Sequence, residues 1–250
     1  MGMLNSFVPF LIVVAFTTAA PAASVIVNEI NAGGAAVPGD WFEVVVVGDG
    51  SAGSTVDMRG WTFRIDNNGQ TNVGRFTLSN DSYWSTVRAG TILTFHEDDT
   101  ASGGLNSGIH LSDFFSSLGW AHTNIHVGDA TYVLTSAGDF DGSFPIDQNN
   151  SQVAIFDAAL GLVFGPAGEN HAGYTGGGVS ATEVFKLEAD PATTITLTSP
   201  YNDGSSNTFG APNQWNSGAS VQNFSAFAVP EPSATLLGLV GLLAGLRRRR

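Results

Sequence analysis

Two glutamates, Glu29 in VNEIN and Glu43 in WFEVV, are the residues of this chain whose type and setting come closest to catalytic chemistry. Paired carboxylates near strands can act as general acid and general base. The same carboxylates, when buried, serve instead as hydrogen-bond acceptors for strand backbones or for the neighbouring Asn28, because a buried carboxylate must find donors. The structural role is the one expected here.

Histidines are the second candidate set. His122 and His126 stand at i and i+4, with His110 twelve residues earlier, a spacing that on a helix would bring two imidazoles to one metal. The stretch HTNIHV is β-branched, however, and has no Glu between its histidines, so the metallohydrolase signature is missing. No Ser-His-Asp order, nucleophile elbow or phosphate-cradling loop is recognisable, and Gly176, Gly177 and Gly178 read as a loop. No catalytic residue is assigned, and a metal-dependent hydrolase ranks last among the functions weighed.

Oxygen-rich turns suit a hard cation better. Asp139 and Asp141 in DFDG, and the run Glu97, Asp98, Asp99, are the places where calcium would bind. The first loop has Asn150 where a twelfth-position Glu is wanted, so solvated turns are the expected reading and calcium is the one cofactor kept open. Trp84, Trp120, Tyr201 and Trp215 would stack on sugar rings if exposed, although packing explains such aromatics more often. A secreted carbohydrate- or calcium-binding module is therefore the alternative function.

The elements that would position these residues are strands. A chain with 31 Gly, abundant Thr, Ser, Asn and Val, and few Lys or Glu reads as all-β with many turns. Trp61, Phe63 and Ile65 alternate with Thr62, Arg64 and Asp66, the period of a strand with one face buried. Further strands are expected at residues 24–30, 42–47, 73–78, 91–97, 131–135, 152–157, 161–164, 183–188 and 194–198. DNNG at 66–69 and NDG at 202–204 read as turns. Strands of this length and spacing suggest a sandwich. One short helix is expected at LSDFFSSLG, with Ser112 as cap and Gly119 as stop. The chain has no Cys, so stability must come from its core.

The termini differ in character from this body. Residues 7–16 are an apolar core with no Lys or Arg before it, and Ala20-Pro21-Ala22 has the form of a signal peptidase site, so cleavage is expected after Ala22 or Ala23. At the other end Pro230, Glu231 and Pro232 precede an N-capping Ser233 and thirteen residues, 234–246, in which Thr235 is the only polar side chain. As a helix this run would be roughly 20 Å long against a hydrocarbon core of about 30 Å. Arg247, Arg248, Arg249 and Arg250 then act as a cytoplasmic stop. They are four of the chain's nine basic residues, against 22 acidic ones. The body is thus strongly acidic, which argues against nucleic acid or an anionic membrane face as partner.

The carboxyl-terminal pattern resembles the PEP-CTERM sorting signal of Gram-negative bacteria. That resemblance implies a transient inner-membrane anchor read by an exosortase, with Pro230, Glu231 and Pro232 as the recognised motif of a substrate. It also implies an exported protein of the cell surface or extracellular matrix, associated with exopolysaccharide or biofilm, whose processing partners are exosortase and signal peptidase. A second resemblance lies in the body. VIVNEI at 25–30, DWFEV at 40–44, VDMRGWTF at 56–63, Arg88-Ala89-Gly90 before TILTF, NSQVAIFD at 150–157 and Phe209-Gly210-Ala211-Pro212-Asn213 are similar to the lamin-tail domain. It implies an immunoglobulin-like β-sandwich in which Glu29 and Glu43 belong to a non-enzymatic pattern. Departures are Val45, Val46 and Val47 in place of a polar pair, and a long insert around residues 105–128. The expected organisation is a signal peptide at 1–23, the sandwich at 24–220, a linker at 221–229 and the sorting signal at 230–250. The function expected is that of a non-enzymatic exported protein.

Overall fold

The computed structural model describes residues 23–32, 39–67, 70–97, 118–135, 146, 150–169, 184–204 and 207–229. Outside them lie the leader with Ala22, His110, most of the expected helix, Asp98, Asp99, Asp139, Asp141, the three consecutive glycines at 176–178, and the tail carrying Pro230, Glu231, Pro232 and the four arginines.

Among the described residues the chain is mostly β, with only three short 3-10 turns as helix. In chain order the strands are β1 Val25–Ala32, β2 Asp40–Val46, β3 Thr55–Val56, β4 Thr62–Asn67, β5 Gln70–Leu78, β6 Val87–Arg88, β7 Thr91–His96 and β8 Ala121–His126. They continue as β9 Val133–Leu134, β10 Gln152–Phe156, β11 Leu162–Gly168, β12 Val184–Leu187, β13 Tyr201–Gly204, β14 Gln214–Trp215 and β15 Ser220–Val221. A six-stranded sheet has the order β13-β12-β1-β2-β7-β8, and a five-stranded sheet the order β11-β10-β4-β5-β9. All neighbours in these sheets are antiparallel except β7 and β8. Two-stranded ribbons, β3 with β6 and β14 with β15, complete the architecture, which is that of an all-β sandwich.

The pleat explains how the sheets meet. Phe42 pairs in register with Phe95 on β2 and β7, and Phe63 with Phe76 on β4 and β5, so each sheet offers two phenylalanines on one face. These four rings interlock, with centroids 4.8 Å apart for Phe63 and Phe95 and 5.8 Å for Phe42 and Phe63. Such pairs add about 0.5–1.5 kcal/mol each beyond the area they bury. Trp84 closes the cluster from the 3-10 turn Ser82–Thr86, where the Asp81 carboxylate accepts from the Tyr83 amide at the turn's start. Its indole stacks on Phe95 at 6.4 Å and its Nε1 donates to the Tyr132 carbonyl.

Two local expectations are corrected, and one unassigned segment is placed. Residues 194–198, expected as a strand, form turns: the Ser199 amide bonds the Thr196 carbonyl, and the Thr196 amide bonds Ser199 Oγ. Local hydroxyls here offer the backbone an alternative to a ladder, and Pro191 and Pro200 bracket the stretch. Asn202 to Gly204, expected as a turn, instead pairs with β12 as the sheet's last strand. The segment carrying His122 and His126, which was not assigned as a strand, is β8, lying parallel to β7. In the stretch read as a linker, Gln222, Phe224 and Phe227 are buried.

One irregularity decides which face carries chemistry. Phe42, Val44 and Val46 share the core face of β2, and opposite them on β1 stand Ile30, Val27 and Val25. Strict alternation from Val27 would send Glu29 into the aromatic core. A register shift between Val27 and Glu29 inserts one extra residue and puts Glu29 opposite Glu43, on the sheet's other face.

Candidate functional site: a buried carboxylate pair beneath a C-terminal strap

The outer face of the six-stranded sheet carries a row of polar side chains across its strands. Lys186 of β12 is in register with Glu29 of β1, Glu29 with Glu43 of β2, and Glu43 with Thr94 of β7. All four are buried. They are covered by residues 207–213, a strap that approaches from the far end of the chain.

The strap supplies donors to the carboxylates. The Thr208 amide donates to Glu29 Oε1 at 3.0 Å, and the Thr208 hydroxyl donates to Glu29 Oε2 at 2.5 Å. The Gly210 amide donates to Glu43 Oε1 at 2.5 Å, and the Thr94 hydroxyl donates to the same oxygen at 2.7 Å. Lys186 sends its Nζ to the Gln214 carbonyl at 2.6 Å, just past the strap. Phe209 sets its ring edge-on to Trp41 at 5.2 Å and to His122 at 5.9 Å.

Gly210 is required where it stands. Its φ of +71° lies in the left-handed region, and a Cβ there would come within 2.5 Å of the His122 ring. Behind it, Asn213 holds the strap to the body. Its Nδ2 donates to the carbonyls of Asn28 and Leu187, each at 3.0 Å, and its Oδ1 accepts from Asn28 Nδ2 and lies 2.9 Å from the Thr208 hydroxyl, whose single proton is shared between this oxygen and Glu29 Oε2. Gln222 completes this knot, donating to Asn28 Oδ1 and accepting from the Asn213 amide.

Burial pushes the Glu29 carboxyl up to about 7, with the Thr208 bonds and Lys186 opposing. It pushes Glu43 higher, to about 8, because the Glu29 charge adds to desolvation while the Gly210 amide, Thr94 and the nearby Asn28 only partly offset it. His122 moves the other way, down to about 4, through burial and the neighbouring His96. Its Nε2 lies 2.9 Å from Thr94 Oγ1. Thr94 spends its only proton on Glu43, so the neutral imidazole donates to the hydroxyl. The arrangement can hold and release a proton. Both carboxyls are fully buried under the strap.

Other sequence candidates are placed as follows. His122 and His126 share one face of a strand, about 13 Å apart by strand rise, and so do not converge on one ion. His126 Nε2 donates to the Glu97 carbonyl, and Glu97 Oε1 accepts from the Asp40 amide. Among the described residues no three His, Cys, Asp or Glu side chains gather to hold a metal. Trp84 and Tyr201 are core residues, the latter donating its hydroxyl to the Val27 carbonyl, while Trp120 and Trp215 are half-buried. Ala23 is buried just ahead of β1. Thr94, Thr208 and Gln222 were not singled out from the sequence. Gly210 and Asn213 stood there only as part of the FGAPN motif.

Fold and site together define an all-β protein whose polar layer is sealed between a sheet and its own C-terminal segment. No family model, curated protein or solved structure matches the chain.

Proposed function

We propose that this chain is an exported, non-enzymatic protein of a Gram-negative cell surface or extracellular matrix, with an immunoglobulin-like sandwich of lamin-tail type as its working body. The observation that carries the reading is the order of parts in residues 230–250: Pro-Glu-Pro, an apolar run, then four arginines. Grease followed by fixed positive charge keeps the carboxyl terminus cytoplasmic and orients what precedes it outward. The tail would be a substrate for exosortase and the leader for signal peptidase, and exopolysaccharide is the partner the sorting signal suggests.

The site supports a structural role for the two glutamates. A general acid or base must reach its substrate, whereas Glu29 and Glu43 face backbone amides and hydroxyls inside the protein. A strap tied to both carboxylates also gives a Cys-free domain a closure that a disulfide would otherwise supply.

Among the described residues no helix is long and apolar enough to cross a membrane. The test is intact-mass analysis of the protein from its native host, in cell and medium fractions. Loss of the leader and of the arginine tail is expected; retention of both would remove the proposal. Replacing all four arginines by Ala is expected to abolish the tail's processing without altering the body's thermal unfolding.

A further inference from the structure

Four carboxylate oxygens meet at the Glu29–Glu43 pair, and three of them accept hydrogen bonds. Glu29 Oε1 takes the Thr208 amide, Glu29 Oε2 the Thr208 hydroxyl, and Glu43 Oε1 the Gly210 amide and Thr94 hydroxyl. Glu43 Oε2 is buried and among the described residues has no protein hydrogen-bond partner within bonding geometry, the nearby Asn28 amide only easing its burial. A buried carboxylate oxygen so placed is the natural seat of a proton. Three of the four donors to the pair belong to the strap, so whatever disturbs the pair acts on the strap first.

We propose that residues 208–211, hinged on the Asn213 knot, form a proton-dependent clasp on the outer face of the six-stranded sheet, closed while the Glu29–Glu43 pair keeps one proton and opening when both carboxyls ionise. On opening, the Glu43 O–H bond breaks and its proton passes to solvent water or hydroxide; no other covalent bond changes. Two ionised carboxylates facing each other across adjacent buried strands repel, and burial leaves the second charge poorly compensated. Lifting the strap admits water to both.

Three titratable groups face the pair from neighbouring strands. From β12 comes Lys186, in register with Glu29, whose Nζ donates to the Gln214 carbonyl and whose charge draws the Glu29 value part of the way down. From β8 comes His122, neutral and donating to Thr94, and from β7 comes His96 beside it. The strap itself has no titratable side chain among Thr208, Phe209, Gly210, Ala211, Pro212 and Asn213. Downstream, Phe224 and Phe227 are buried and pack on each other with centroids 6.1 Å apart, so the clasp can lift while the chain end stays anchored. The inference does not depend on the export reading.

The experiment is hydrogen exchange by mass spectrometry on the full chain at about pH 5, 7 and 9, with rates corrected for intrinsic exchange. Amides of residues 207–211 are expected to lose protection by about tenfold or more between about pH 6 and 9, while β2 keeps its protection. Glu43→Gln, which cannot ionise, is expected to remain closed throughout. Unchanged protection of the strap in the wild type, or the same opening in Glu43→Gln, overturns the clasp. If that variant does not fold, carboxyl-carbon NMR of the wild type decides. A Glu43 titrating near neutrality or above supports the clasp, and one titrating as an ordinary solvent-exposed acid overturns it.

Discussion

The Gly210 amide donates to Glu43 Oε1 at 2.5 Å, joining positions 167 residues apart in the chain. With the Thr208 bonds to Glu29, which span 179 residues, this contact makes the outer face of the central sheet complete only when the C-terminal segment arrives. Contacts of such separation require loop closure before they return any stability, so the strap should be among the last parts to dock.

Gly210→Ala tests the geometry of that contact. The left-handed backbone and the approach to His122 both oppose a Cβ, and the expected loss is about 1–3 kcal/mol in urea denaturation. In a double-mutant cycle His122→Ala should recover part of the loss, the steric part, and leave the part due to φ. Full additivity would mean that the ring and the glycine do not share the site.

Stability should be highest on the acid side of neutrality. Glu29 and Glu43 keep protons in the folded chain that the unfolded chain releases near 4.5, so their contribution is whole below that value and is lost as pH climbs through about 7 and about 8. His122 opposes this: its folded value is depressed from 6.5 to about 4, so its share is present above 6.5 and lost as pH falls through 4. Two acids outweigh one base between these limits, and stability should decline by on the order of 1 kcal/mol per pH unit from about pH 5 to 7. Urea midpoints across this range check the slope. A midpoint that rises toward pH 8 would contradict it, and Glu43→Gln should flatten it.

Asn213→Ala should be among the most destabilising polar substitutions. It takes the Asn213 Nδ2 donor from the Asn28 carbonyl and the Oδ1 acceptor from Asn28 Nδ2, while the Leu187 carbonyl keeps Gln222 Nε2 and the Thr208 hydroxyl keeps Glu29. Each buried group left without a partner costs about 1–3 kcal/mol, so a loss of roughly 3 kcal/mol or more is expected. Asn213→Asp should not rescue it, because a carboxylate would face those same carbonyls. Thermal unfolding followed by near-UV circular dichroism measures both.

Phe63→Ala removes the ring that touches both Phe42 and Phe95 across the sandwich. A loss of about 3–5 kcal/mol is expected, against less than half that for Phe63→Leu, since the cost follows the cavity left behind. Equal losses for the two variants would mean that the core collapses into the space.

Much of the fold was legible because its signals are local. The alternation around Trp61, Phe63 and Ile65 located β4, and the β-branched run after Phe42 located β2 within a residue or two. Residues 194–198 look equally strand-like, yet their hydroxyls satisfy the backbone in place, an outcome that depends on whether a partner strand is near. Asn202, Asp203 and Gly204 misled in the opposite direction: a turn-like triplet becomes an edge strand because β12 offers it a ladder. The histidines of β8 suggested a metal when imagined on a helix. On a strand they point along one face too far apart to share an ion.

By itself the sequence determined the β class, the absence of disulfides, the acidic body and the two terminal segments of different character, since composition and hydrophobic periodicity are properties of neighbours along the chain. It also marked Glu29 and Glu43 as residues to be satisfied by hydrogen bonds. Only the tertiary structure decided who satisfies them. A single extra residue after Val27 turns Glu29 from the core face to the side of Glu43, and a strap from nearly two hundred residues away covers both. Bulge and strap have one physical cause: a strand side chain has only two faces to choose from, and the free energy of a buried carboxylate depends on which donors the rest of the chain brings to that face.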